Sequence, residues 1–191
     1  GTAISSHEVS QGYKDVEETT VYVRFPVKPQ AAERLSGMPG AAVSLAVWTT
    51  TPWTLISNVA CAVHPEIDYA LVESRGERFV LAADLVATVL GKKARVEKTF
   101  PGHALLNLEY EPPYRFINPQ KRAFFVIAGD YVTTTEGTGV VHIAPAFGED
   151  DMRVGLQNDL PVVNPVDTEG RFTAEVAPWA GRFVKDADPG I

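Results

Sequence analysis

A single cysteine, Cys61, denies this chain a disulfide framework or a thiolate zinc cluster of its own, and fits a reducing, cytoplasmic setting. No apolar run approaches the roughly 18 residues needed to span a bilayer, and no basic region followed by an apolar segment opens the chain. A soluble, unexported protein without a membrane partner is expected. Basic residues are also scarce: 17 against 24 acidic ones leave a formal charge of −7, which argues against a broad phosphate-binding surface. Any nucleic-acid contact should be small and local. Missing too are a G-x-S-x-G elbow, a G-x-x-x-x-G-K-[ST] phosphate loop, an H-E-x-x-H pair and a G-x-G-x-x-G fingerprint. The four histidines, His7, His64, His103 and His142, lie far apart without ligand spacing, so neither a metal nor a cofactor is expected.

What is present is an ordinary globular composition, 45% hydrophobic and 21% charged over 191 residues, enough for one substantial core and one domain. Thr19 to Val27 (TTVYVRFPV) alternates as a strand, Gln30 to Gly40 suits a short helix or a loop, and Ala41 to Val47 reads as a buried strand. Val59 to Val63 is β-like, while Tyr69 to Glu73 and Arg78 to Leu81 flank SRGE, whose Gly76 predicts a hairpin. Ala83 to Leu90 places Leu85, Val86, Val89 and Leu90 on one helical face ahead of Gly91. Further strands are expected at Ala94 to Thr99, Leu105 to Tyr110, Ala123 to Ala128 and Val140 to Ile143, with Leu160 to Val166 extended and a turn at TEGR. Many short strands with few helices predict a mainly β fold: a closed, barrel-like core with peripheral helices.

Two stretches concentrate the chemistry. In Gly137 to Asp151 (GTGVVHIAPAFGEDD) a strand, a Pro-bearing loop and a helix start follow one another. Glu149, Asp150 and Asp151 would occupy the first helical turn, where orphan N–H groups and the helix dipole lower a carboxylate's pKa; an ionised aspartate there can receive an ammonium. The same three acids also suit plain capping of a solvated helix, and a lone His142 in a Val/Ile strand also suits a hydrogen-bonded core residue. The second stretch sets Thr49, Thr50, Thr51 and Thr54 around Pro52 and Trp53. Their hydroxyls can orient a water, a ribose hydroxyl or an ester carbonyl, or simply satisfy the backbone of a turn.

WTTTPWTLISNVACAVHP at Trp48 to Pro65 and GTGVVHIAPAFGEDD closely resemble the inserted editing domain of isoleucyl-tRNA synthetase. The related valyl and leucyl enzymes carry Arg in T-T-R-P, where this chain has Thr51, and lack a His at the position of His142. HEVSQGYKDV and VYVRFPV look like the family's entry into the insertion, so the resemblance covers nearly the whole chain. The H-I-G-H and K-M-S-K-S signatures of amino-acid activation are absent, which implies an excised domain, with 1–18 and 177–191 as extended connections to the synthetase body.

The resemblance implies a closed β-barrel that hydrolyses valine wrongly attached to isoleucine tRNA, and also valyl-adenylate. An activation pocket discriminates poorly against a side chain one methylene too small; this family is the standing example of that limit, with a second, smaller sieve as the remedy. By motif position Asp151 would hold the α-ammonium, and Thr49, Thr50 and Thr51 the terminal adenosine and the ester or water. His142, Trp53 and Thr54 would bound the side-chain pocket, and Trp48, Ala144, Pro145, Phe147 and Asp150 complete the substrate-binding set. The expected partners are the 3′ acceptor end of tRNA(Ile) and the remainder of the synthetase, with the domain itself a monomer. A different class of function stays open on the residues alone: a non-catalytic β-barrel that binds a small amino acid or an RNA 3′ end.

Overall fold

The computed structural model describes residues 20–191, so the entry expected at 1–18 lies outside the described residues. Strand β1 (Val21–Pro26) alternates exposed and inward positions and buries Phe25. It pairs antiparallel with β2 (Ser44–Thr49), from Val21 opposite Thr49 to Pro26 opposite Ser44. Between them the ambiguous stretch after Val27 resolves as helix α1 (Pro29–Ser36), opened by a proline whose missing N–H costs nothing there and closed by Gly37 at φ 70°.

Strand β3 (Ala60–Val63) is buried at every position, and β4 (Asp68–Ser74) and β5 (Glu77–Ala82) form the expected hairpin. Its turn holds Arg75 and Gly76 at φ 54° and 84°, the pair of positive angles that matches the twist of two antiparallel strands. β6 (Arg95–Pro101) adds to β4, giving the order β1-β2-β5-β4-β6, while a second sheet runs β7 (Phe125–Ala128), β3, β8 (Val141–Ile143). The fold is mainly β with short helices, including α2 (Val86–Val89), α3 (Glu149–Gln157) and α4 (Val184–Ala187).

The regular ladders form two sheets rather than one continuous barrel, and isolated bridges from Val27 to Tyr110 and from Glu109 to Phe125 link β1 to β7 between them. β2 runs parallel to β5 for only two positions, Ser44 opposite Phe79 and Leu45 opposite Val80, and then diverges. Beyond that point Ala82 N–H bonds to Thr138 O at 2.9 Å instead. Between the end of β2 and β8 there is no hydrogen-bonded ladder, and side chains from both strands line the seam.

Other elements differ for local reasons. Ala83 to Leu90 is a 3₁₀ turn (Ala83–Leu85) followed by the single turn α2; the tighter winding breaks the i, i+4 face, so Leu85 and Val86 are buried while Val89 and Leu90 are only partly so. Leu105 to Tyr110 is no ladder strand: it starts in a 3₁₀ turn, Asn107 takes φ 62°, and only Glu109 and Tyr110 make isolated bridges. In Leu160 to Val166 only Val166 bridges, since Pro161 and Pro165 have no N–H to pair. The stretch 177–191 is wound rather than extended: Ala177–Trp179, α4 and Asp188–Gly190 are helical turns, because Val184 and Ala187 bury against Ile56, Phe172 and Val176.

The main core surrounds Phe25, Leu45, Val47, Tyr69, Leu71 and Tyr110. Its buried hydroxyls are satisfied, Tyr110 donating to Asn58 Oδ1 at 2.8 Å and Tyr69 to Gly139 O at 2.6 Å. Gly139, at φ 72°, lies so close to β5 that a Cβ there would stand 2.6 Å from Ala82 Cβ. Only glycine lets this backbone settle onto the sheet, and that contact sets where β8 carries His142.

Candidate functional site

The open seam contains a cavity of about 230 Å³. One wall comes from the end of β2 and the following turn, through Trp48, Thr49, Thr50, Thr51 and Thr54; the other comes from β8 and α3, through Val141, His142, Ala144, Phe147 and Asp151. Two stretches about ninety positions apart in the sequence thus share one hollow. Strand register explains the meeting, since β3 pairs Cys61 with His142 and so draws β8 alongside the chain that leaves the threonine turn. Gly137 contributes as well: its backbone sits against the Trp48 ring, 2.8 Å from where a Cβ would be.

The threonines form a relay of hydrogen bonds. Thr51 N–H donates to Thr49 Oγ1 at 3.1 Å, Thr51 Oγ1 lies 3.1 Å from Thr54 Oγ1, and Thr49 Oγ1 lies 3.4 Å from Thr51 Oγ1. Thr54 Oγ1 donates to Thr51 O at 2.8 Å and stands 3.0 Å from His142 Nε2. Thr50 lines the cavity outside this relay.

Proton counting fixes the histidine. Thr54 has one hydroxyl proton, and the Thr51 carbonyl can only accept, so His142 Nε2 carries the hydrogen and donates to Thr54. Nδ1, buried without a partner among the described residues, is then a bare lone pair, which costs less than an orphaned N–H. Burial lowers the His142 pKa to about 4, keeping the ring neutral.

The linkage sign follows. A His depressed from 6.5 to about 4 supplies stability that is present above pH 6.5 and is lost as pH falls toward 4, where the unfolded chain takes up a proton the fold refuses. The full loss is about 3 kcal/mol. Urea unfolding measured at stepped pH should show that decline, and His142→Gln should flatten it; an unchanged pH slope in the variant would assign the acid lability to another group.

Asp151 lies in the first turn of α3, and its Oδ2 accepts the Ala144 N–H at 2.8 Å, tying the helix start to the end of β8. Its pKa is raised, not lowered as the helix position suggests: burial acts most strongly, against the Ala144 hydrogen bond, and the neighbouring Asp150 raises it further. Desolvation outweighs the helix terminus here.

Three expected substrate contacts stand back from the cavity. Asp150 is exposed and faces Arg153 at 3.1 Å. Pro145 packs on Gly155, spacing the β8 loop from α3. Trp53 sits behind Phe147, edge-on at 4.7 Å between ring centroids, and so supports that wall from outside. Two residues were not singled out in the sequence: Val141, which lines the cavity, and Asp188, whose Oδ1 accepts the Trp53 N–H at 2.8 Å. Val141 stands within an apolar run whose composition marks a strand and not a cavity wall, and nothing local marks Asp188. Among the described residues no cluster of three or more His, Cys, Asp and Glu side chains could hold a metal ion, and no helix is long and apolar enough to cross a membrane.

No protein-family model matches the chain. Among solved structures it is similar to GlLeuRS-CP1, with a TM-score of 0.70 at 15% identity over 90% of this chain and 93% of that one. It is also similar to the editing domain of the P. knowlesi cytosolic leucyl-tRNA synthetase, with a TM-score of 0.58 at 10% identity over 73% of this chain and 64% of that one. The fold is that of an editing (CP1) domain of an aminoacyl-tRNA synthetase. Across all 191 residues the chain is 51% identical to the isoleucine–tRNA ligase of Clostridium novyi (strain NT), and it spans 17% of that protein's length. It belongs to the isoleucyl-tRNA synthetase family.

Proposed function

We propose that the seam cavity removes valine from mischarged tRNA(Ile), and from valyl-adenylate, within a cytoplasmic isoleucyl-tRNA synthetase. The observation that carries this reading is the meeting of a half-buried carboxylate and a cluster of hydroxyls across one small hollow. At about 230 Å³ the hollow is smaller than the roughly 300 Å³ at which drug-sized pockets begin, which suits an aminoacyl group whose nucleoside stays at the mouth.

In this reading Asp151 receives the α-ammonium, and the charge it meets repays the burial that raises its pKa. Val141, His142, Thr54 and Phe147 enclose the side chain. Thr49, Thr50 and Thr51 orient the ester carbonyl, the ribose and an attacking water. The water oxygen bonds to the carbonyl carbon, the ester C–O bond breaks, and the ribose oxygen leaves with a proton, giving free valine and intact tRNA.

Direct attack is favoured because the residues at hand make poor nucleophiles. Cys61 is fully buried in β3, with its thiol pKa pushed far up by desolvation. Thr54 and His142 imitate a nucleophile and base, yet the Thr54 proton is committed to Thr51 O, Nε2 already holds a hydrogen, and no carboxylate orients Nδ1. The full-length enzyme should release valine from valyl-tRNA(Ile) while sparing isoleucyl-tRNA(Ile), with no valyl-enzyme adduct in acid-quenched mass spectra. Equal hydrolysis of both esters would count against the sieve, and a trapped adduct against direct attack.

A further inference from the structure

We infer that Asp188 is a positioning residue for hydrolysis in this cavity, acting through the backbone of Trp53; the inference rests on the proofreading reading of the site. The 3₁₀ turn Pro52–Ser57 follows Thr51, which makes no side-chain cap of its own. Pro52 has no N–H, and Thr54 N–H already bonds Thr51 O at 3.0 Å, so the first turn has one donor left over, that of Trp53. Asp188 supplies its acceptor from 135 positions away, at 2.8 Å. It is an N-terminal cap provided in trans, and a carboxylate is the favoured group at that end of a helical turn.

Asp188 has little freedom to leave. It follows α4, whose Val184 and Ala187 pack on Ile56 within the same 3₁₀ turn, and the chain beyond it is held by Tyr114 Oη donating to Ile191 O at 2.6 Å. What the cap fixes is chemically important. Thr51 and Thr54 are the two ends of the capped turn and the centre of the hydroxyl relay, while the Trp53 ring backs the Phe147 wall. Losing the cap should shift reacting groups without emptying the cavity.

The test compares Asp188→Ala with Asp188→Asn in the full-length synthetase. The Ala variant should lose roughly 10- to 100-fold in kcat for valyl-tRNA(Ile) hydrolysis, with KM changed by less than about 3-fold, as expected for misplaced rather than missing contacts. Hydrogen exchange over residues 49–57 should accelerate in the Ala variant. The Asn variant, whose amide oxygen accepts the same N–H, should resemble the parent in both measurements, and isoleucylation should be unchanged in both variants as a check on folding. Unchanged exchange and kcat in Asp188→Ala would overturn the inference, and so would an Asn variant as impaired as the Ala one. Should the parent itself leave valyl-tRNA intact, the proofreading proposal fails. The exchange comparison then still decides Asp188: protection lost in Ala and kept in Asn supports the cap, and equal protection in both overturns it.

Discussion

Asp151→Ala should lower kcat/KM for valyl-tRNA(Ile) hydrolysis by roughly 10²- to 10³-fold, because truncating one member of a buried charge pair costs about 3–4 kcal/mol. The ammonium would then enter a half-buried site with no counter-charge. Asp151→Asn isolates that effect, since its amide oxygen still accepts the Ala144 N–H and keeps α3 tied to β8. The two variants should therefore be similarly inactive, while only Ala disturbs the helix start. Stability provides an independent check. A carboxyl whose folded pKa is raised gives its favourable contribution when protonated, below its ordinary pKa, and loses it as pH rises through the folded value. At neutral pH the ionised Asp151 is thus a cost to the empty fold, and Asp151→Asn should not lower Tm. Single-turnover deacylation and a thermal melt measure both; an Asn variant that hydrolyses valyl-tRNA normally would remove Asp151 from the ammonium site.

That opposition between function and stability was not legible in the sequence. The first-turn position of Asp151 could be read from GEDD, and position alone argues for a lowered pKa. The burial that reverses the sign comes from the packing of β8 and the threonine turn around it, which no window of the chain contains. Strands fared better where a local pattern decides them, as in the hairpin at Arg75 and Gly76 and the apolar run ending in β7. Leu105 to Tyr110 also buries Leu105, Leu108 and Tyr110, yet it is bent at Asn107 and meets β7 through a few backbone hydrogen bonds and isolated bridges instead of a regular ladder, because a core accepts apolar side chains from irregular backbone as readily as from strands. Barrel closure was expected from the many short strands. It depends on whether β2 keeps company with β5, and β2 instead diverges after Leu45. The cavity lies beyond that short pairing, between the far end of β2 and β8, where no ladder joins the two strands. Trp53 shows the limit for single residues: the family resemblance implied a pocket wall, but its ring packs edge-on against Phe147, which lines the cavity, and does not line it itself.

His142→Ala should relax the sieve, raising isoleucyl-tRNA(Ile) hydrolysis by roughly 10- to 100-fold, since one methylene admitted to or refused by an apolar pocket is worth about 1–3 kcal/mol. The imidazole suits a wall of fixed size. It is neutral, locked by its Nε2 hydrogen bond to Thr54, and carried by a strand whose register with β3 leaves it no room to slide. Removing it opens space larger than the single methylene that separates the two substrates. Valyl-tRNA hydrolysis should fall by less than about 10-fold, because Asp151 and Thr49 to Thr51 are untouched. His142→Gln separates volume from hydrogen bonding: its amide can still donate to Thr54 while filling less of the wall, so it should fall between the parent and Ala in isoleucyl-tRNA hydrolysis. Initial rates with both esters decide the matter. If the Ala variant continues to spare isoleucyl-tRNA, the size limit belongs to Val141 and Phe147 on the same wall, and the role of His142 reduces to holding the Thr54 hydroxyl in line with Thr51.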